Sequence, residues 1–546
     1  MTLTESTIAT ASDQTKFNPY DAVPYPSLSY SRSHPTNLAT IATLFGMQPA
    51  PVDQCRVLEL GCASGGNLLP MASTLPESRF LGIDYGVTHI ETARSTLNDL
   101  ALSNITFECL NFLDIGPEIG EFDYIIAHGI YSWVPAEVQE KVMQLCSQHL
   151  APNGLAYISY NTYPGYHMRN ILRDTMLFHT REISDPLDRA AEGKKWLQFL
   201  ADHVPESNLA YSNLLKQYAG FLTGEHESIS GRNDAFFIHD ELEEDNNPVY
   251  FSQFIEHAAL NALQYLGEAD VASMVDRNLP PEVSDTLVSF SKNAVELEQY
   301  MDFYSNRAFR ETILCRQQVN LTRKIEPEIM QSLFIGSSAI PVTSDVEIDK
   351  NARVSFRCHD GAVFTSDHPL TKAAMLCLNE NWPLMLSFAE LVSQSHARLN
   401  DAQPLSPQEP QMLAANLLKA YTYSKNLVSL RVHTPALKQT VSKMPEAYPL
   451  ARHQAITADV VTNLYHERVR LDNFNHYLLR LLDGSRQLSQ LVDIFIDGPI
   501  ANGLLKVKEK DEDDNLISDP GRLREILTEN IHNNLVGLSR SALLIS

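Results

Sequence analysis

The stretch Arg56–Asn67, R-V-L-E-L-G-C-A-S-G-G-N, constrains the fold more than any other part of this 546-residue chain. Val57, Leu58 and Leu60 form a short apolar run of the kind a buried strand makes. Gly61, Gly65 and Gly66 then permit a sharp turn that brings backbone N–H groups close to a ligand. Leu68, Leu69, Met71 and Ala72 suit a helix. A strand, a glycine-rich turn and a helix together make a nucleotide or cofactor site, with donors at the helix N-terminus.

Two acids narrow the choice of ligand. Glu59 stands on the strand, two residues before Gly61. A carboxylate there would repel the pyrophosphate of a dinucleotide and suits a cationic amino-acid end instead. R-F-L-G-I-D, Arg79 to Asp84, reads as a second strand ending in an acid. Its distance from the first glycine, 84 − 61 = 23 residues, fits an acid that takes ribose hydroxyls, expected roughly 20 residues on. An amino acid at one end and a ribose at the other describe S-adenosylmethionine (SAM). The competing reading is that Glu59 and Asp84 are solvated strand ends.

E-L-G-C-A-S-G-G-N resembles the first motif of class I SAM-dependent methyltransferases, with Ala63 where the second glycine usually stands. The resemblance implies a Rossmann-like α/β sheet of seven strands, the last antiparallel. It makes Gly61, Cys62, Ala63, Ser64, Gly65 and Asn67 cofactor residues, together with Glu59, Asp84 and the adjoining Tyr85. It also implies that Asn111, after the third strand, meets the adenine amino group and that Phe112 covers the ring. The loop after the fourth strand, H-G-I-Y-S-W-V-P from His128, lies beside the reactive methyl group in this class.

The rest of the chain alternates in the same manner. N-P-Y-D-A-V-P-Y-P-S, Asn18 to Ser27, reads as an extended arm, either a surface strap or a segment whose Tyr20 or Tyr25 closes over the cofactor. His34 to Gly46 reads as a helix. Strands are expected near 56–60, 79–84, 106–110, 124–128 and 156–160, with helices over 88–102 and 136–150. Such alternation implies a parallel sheet with ligands beyond the carboxyl ends of its strands. Residues 166–230 read as a helical insertion capping the site. Ala235–Asp240 is expected as the sixth strand, 249–262 as a helix and 263–271 as the antiparallel seventh strand. Glu241–Asn247 is an acidic loop, either solvated or attracting a basic substrate. The expected organisation is a disordered tail over 1–16, a methyltransferase core over 17–275, a helical middle region over 276–334 and a mixed α/β domain with winged-helix-like units over 335–546. Lys506–Asn515 reads as a flexible charged loop.

Several stretches together resemble bacterial methyltransferases that carry a methyltransferase regulatory domain: Y-D-A-V-P-Y-P-S, A-H-G-I-Y-S-W-V-P, Y-N-T-Y-P-G and H-D-E-L-E-E-D-N-N-P-V-Y-F. P-L-A-R-H-Q-A and V-T-N-L-Y-H-E look similar as well. That family includes protein-lysine methyltransferases of outer-membrane proteins. The resemblance therefore implies a C-terminal domain that assists substrate binding or forms a homodimer. It leaves the substrate open: a protein lysine, a small molecule, or no turnover at all.

Composition excludes other classes. The net charge of −25 argues against a non-specific nucleic-acid partner, which needs Lys and Arg on the phosphates. No run of about 18 apolar residues suggests a membrane span, and no secretory signal is visible. The seven scattered cysteines have no metal-ligand spacing and suit a reducing cytosol. For lysine chemistry the candidates are His128, as proton acceptor or for its backbone, and an aromatic pocket of Tyr131, Trp133 and Tyr163. Such a pocket favours the neutral amine by desolvation and holds a methylammonium by cation–π contact.

Overall fold

The computed structural model describes residues 23–205, 207–223, 234–344, 346–348, 352–399, 404–438, 440–505 and 519–546. The 1–16 tail, Tyr20 and the Lys506–Asn515 loop lie outside them. The first half of the chain is a seven-stranded sheet: β1 (Arg56–Leu60), β2 (Arg79–Asp84), β3 (Ile105–Cys109), β4 (Phe122–Ala127), β5 (Leu150–Asn161), β6 (Leu263–Glu268) and β7 (Phe309–Arg316). Their order across the sheet is β3-β2-β1-β4-β5-β7-β6. The five strands from β3 to β5 are parallel, and β7 is antiparallel to both β5 and β6. This is the class I methyltransferase sheet.

The side-chain alternation of β1 sets the layers. Val57 packs with helices Pro35–Leu44 and Leu68–Thr74 on one face. Leu58 and Leu60 pack with helices Ala136–His149 and Phe251–Leu260 on the other. Glu59 shares the face of Val57, so it points towards the glycine-rich turn and the helix that follows.

Two expectations fail at the edge of the sheet. Ala235–Asp240 is not a strand; Asp234–Phe236 and Phe237–Glu241 are helical turns. An apolar run this short fits a buried helix as well as a strand, and here Phe237, Ile238 and Leu242 pack into the core of the helical insertion. The antiparallel seventh strand is Phe309–Arg316, after two helices, Pro281–Phe290 and Ala294–Ser305. The sheet therefore runs past residue 275, and the stretch 276–334 is not purely helical. Arg310 hid this strand by interrupting its apolar pattern. Its buried guanidinium binds Glu268, Glu298 and Asp302 at 2.7–2.9 Å, which compensates its desolvation.

Between β5 and β6, helices Gly165–Thr180, Pro186–His203 and Leu209–Thr223 form the insertion. Pro186 at the first helical position and Asp185 as N-cap start the second of these. The C-terminal half carries small antiparallel sheets among helices. One of them is the hairpin β8 (Val460–Thr462) and β9 (Arg468–Arg470), packed against helix Pro449–Gln454 in a winged-helix-like unit that runs on to helix Pro520–Arg540. A single apolar core continues from Leu38 and Val57 through Ile313 and Phe356 to Leu450 and Leu544. The C-terminal half is thus packed onto the sheet. Among the described residues no helix is long and apolar enough to cross a membrane.

Candidate functional site

A cleft of about 670 Å³ opens at the carboxyl ends of β1, β2, β4 and β5. The turn after β1 is left-handed at Gly61 (φ 75°), Ala63 (φ 45°) and Gly65 (φ 77°). Ala63 thus takes a backbone conformation that glycine adopts more cheaply. Asp84 fixes this turn to β2. One carboxylate oxygen accepts from the Ala63 amide at 2.9 Å, the other from the Gly86 amide at 2.8 Å.

Glu59 is buried at the base of the cleft. Oε1 accepts from Asn67 Nδ2 at 2.6 Å, while Oε2 has no hydrogen-bond partner among the described residues. Burial raises its pKa to about 8, opposed by the Asn67 hydrogen bond. A buried carboxylate with one oxygen uncommitted suits the ammonium of an amino-acid ligand. Asn67 in turn accepts at Oδ1 from the Tyr30 amide at 2.9 Å and from His466 Nε2 at 2.8 Å. His466 belongs to the turn before β9, so the C-terminal half holds the residue that holds Glu59.

An extended strap, Tyr25–Tyr30, crosses the cleft. Ser27 accepts from the Gly66 amide at 2.7 Å through its hydroxyl. The Tyr30 ring lies on His128 at 3.7 Å between centroids. Tyr157 donates to Glu311 at 2.8 Å, so its oxygen accepts from Nδ1 of His128 at 2.9 Å. This leaves the lone pair of the neutral ring on Nε2. Arg32 pairs with Glu311 and Asp270 behind this chain. Burial lowers the His128 pKa to about 4, so the ring is neutral at physiological pH.

The cleft also carries acidic and aromatic side chains. Asp240, Glu243 and Asp245 line it, with Trp133, Tyr166, Phe236 and Phe309. Arg173 lies 5.6 Å from the Trp133 ring centroid and donates to the Asp240 and Glu243 carbonyls, tying the acidic loop to the loop after β4. Burial raises the pKa of Glu243.

The structure brings Tyr25, Glu59, Gly61, Cys62, Ala63, Asn67, Asp84, Tyr85, Phe112, His128 and Trp133 to one cleft. Other candidates lie elsewhere. Ser64 bonds His89 at 3.0 Å, and Gly65 serves the turn, where a Cβ would meet Phe107 at 2.7 Å. Asn111 is exposed and caps the turn Phe112–Asp114, accepting from the Leu113 amide at 3.0 Å. Tyr131 is not in the aromatic pocket. Its ring packs against Phe254 in the core and its hydroxyl shares a 2.7 Å hydrogen bond with His257. Tyr163 stacks on His167 at 3.9 Å, outside the cleft. In the first loop His128, Gly129, Ile130, Trp133 and Val134 line the cleft while Tyr131 turns into the core; in the second, Asn161 lines it and Tyr163 does not. Sequence reasoning missed Tyr30, Asn161, Tyr166, Arg169, Phe309 and Arg468, all of which line the cleft. Asn161 and Tyr166 follow the carboxyl end of β5, which the rule for parallel sheets picks out; Tyr30, Arg169, Phe309 and Arg468 arrive from other elements and carry no local signal.

Three family models match the chain. Residues 57–154 match a methyltransferase domain, and residues 233–316 match a "predicted methyltransferase regulatory domain". Residues 443–543 match the C-terminal winged helix domain described as PKMT. An uncharacterised protein of Rickettsia prowazekii (strain Madrid E) is 33% identical over 509 residues, covering 91% of this chain and 90% of that protein. A second one from the same organism is 40% identical over 239 residues, covering 44% of this chain and 93% of that protein. Among solved structures, PKMT2 from Rickettsia typhi superposes with a TM-score of 0.83 at 29% identity, covering 96% of this chain and all of that one. It has also been solved in complex with AdoHcy, the demethylated form of SAM. The free oxygen of Glu59 and the acid at Asp84 fit the same cofactor, and SAM is the cofactor of this cleft.

Proposed function

Because this chain belongs to the class I SAM-dependent methyltransferases that carry a methyltransferase regulatory domain, we propose that it methylates lysine side chains of a protein substrate. The observation that carries this reading is the acidic lining, Asp240, Glu243 and Asp245, in the same cleft as Glu59 and Asp84. It favours a cationic group at the cleft mouth. The full-length likeness to PKMT2, whose name denotes a protein-lysine methyltransferase, supports it.

SAM, when bound, supplies an electrophilic methyl group on a sulfonium. The chain's own residues do the rest. Glu59 binds the ammonium of the cofactor's amino-acid end, and Asp84 takes its ribose. The strap Tyr25–Tyr30 excludes water, which strengthens the electrostatics of the site. Acids at the mouth draw the lysine in as a cation, and the apolar walls of Trp133 and Phe309 favour its neutral form. The lysine gives up its proton to solvent as it enters, and neutral His128, with its lone pair on Nε2, offers a hydrogen-bond acceptor that orients the amine. Trp133 offers a ring face to the methylammonium formed. The C-terminal half presents the protein substrate, an outer-membrane protein being the class the resemblance implies, or joins two copies into a homodimer.

The test is incubation with methyl-labelled SAM and a lysate of the native host, followed by separation of protein from small molecules. Label on protein supports the proposal. Label confined to small molecules, with SAM binding demonstrated separately, rejects a protein substrate.

A further inference from the structure

SAM is a zwitterion at its amino-acid end, and Glu59 answers only half of it. The α-carboxylate needs a cation, because burying it unpaired is costly. Two cationic side chains of fixed charge line the cleft, Arg169 and Arg468. Arg169 is already committed: its guanidinium binds both oxygens of buried Glu241, at 2.5 and 3.2 Å. Arg468 is exposed, and its side chain makes no hydrogen bond or ion pair among the described residues. Its place in the chain is equally pointed. It opens β9, two residues after His466, whose imidazole binds Asn67 at 2.8 Å, and Asn67 binds Glu59 at 2.6 Å. The charge of Arg468 acts on Tyr30 and on His128, the stacked pair above that same end of the cleft.

We propose that Arg468, delivered by the β8–β9 hairpin of the C-terminal winged-helix unit, binds the carboxylate of the cofactor. The cofactor site is then built from both halves of the chain: Glu59 takes the ammonium, Asp84 the ribose and Arg468 the carboxylate. The winged-helix unit becomes part of the cofactor site as well as a candidate substrate surface. The inference rests on the SAM assignment and not on lysine as the substrate.

Calorimetric titration of the whole chain with S-adenosylhomocysteine, and with its decarboxylated analogue, tests this without any turnover. The unsubstituted chain should prefer S-adenosylhomocysteine. Arg468→Gln should weaken S-adenosylhomocysteine about tenfold to a hundredfold, the weight of a charge-assisted hydrogen-bonded pair. Its affinity for the decarboxylated analogue should change by less than about threefold, within the variation of an exposed substitution. Arg468→Lys should recover part of the preference. An equal loss for both ligands would assign Arg468 a merely structural role, and an unchanged affinity for S-adenosylhomocysteine would remove it from the site; either overturns the proposal. Failure of the unsubstituted chain to bind either ligand would fell the cofactor assignment itself.

Discussion

Glu59 is the residue on which the site's electrostatics turn. Its pKa lies near 8 in the folded protein, against 4.5 for an ordinary glutamate, because burial disfavours its charge. The folded chain therefore holds a proton that the unfolded chain has lost between these values. This contribution to stability is complete below about 4.5 and is lost as the pH rises through about 8. Glu59→Gln keeps an acceptor for Asn67 and removes the ionisation. Without cofactor, the variant should gain thermal midpoint over the unsubstituted chain as the pH moves from 5 to 8. It should also bind S-adenosylhomocysteine at least about tenfold more weakly. A gap in midpoint that does not change with pH would contradict this. Trp133 lines the same cleft, and the proposed function puts it on the substrate side. Trp133→Ala should cut turnover by about tenfold or more while changing S-adenosylhomocysteine affinity by less than about threefold. A large loss of cofactor affinity would move Trp133 to the cofactor side.

At the scale of elements, the strap and the glycine-rich turn act as one unit. A Cβ on Gly66 would lie 2.4 Å from the Ser27 carbonyl oxygen, and the Gly66 amide donates to the Ser27 hydroxyl. At a relaxed site, Gly→Ala stabilises by about 0.4–1 kcal/mol. Here Gly66→Ala should destabilise, and it should weaken S-adenosylhomocysteine by displacing the strap; melting and titration of the variant read both effects. The same scale shows what was legible in the chain. The first five strands were readable, because each is a short apolar run bounded by turns or helices with the period of its class. The turn after β1 was readable from its glycines and from Glu59 and Asp84. The seventh strand was not, because buried Arg310 carries a charge that only Glu268, Glu298 and Asp302 explain, and these come from other elements. Ala235–Asp240 misled for the opposite reason, being apolar enough for either state. Tyr131 and Tyr163 were placed with Trp133 because their loops follow the fourth and fifth strands, yet side-chain direction in a loop is set by backbone turns that the residue types do not encode. Tyr30 and Arg468 reach the cleft through folding over long distances, for which one sequence offers no signal.

The whole molecule is bound together by the continuous core and by polar links such as His466 to Asn67. A core shared by the sheet and the C-terminal half predicts one cooperative thermal transition rather than two, shifted upward by S-adenosylhomocysteine. Calorimetry reads this directly, and two separated transitions would refute the coupling of the halves. Such coupling gives the winged-helix unit a route to influence the cofactor cleft, through the same hairpin that carries His466 and Arg468. Methyl transfer to lysine is the central functional proposal. The most direct measurement is complete hydrolysis of a protein labelled by this enzyme and methyl-labelled SAM, followed by identification of the labelled amino acid. Label is expected in methylated lysine, and much less of it when Glu59→Gln replaces the unsubstituted chain. Label in any other amino acid, with none in lysine, would contradict it.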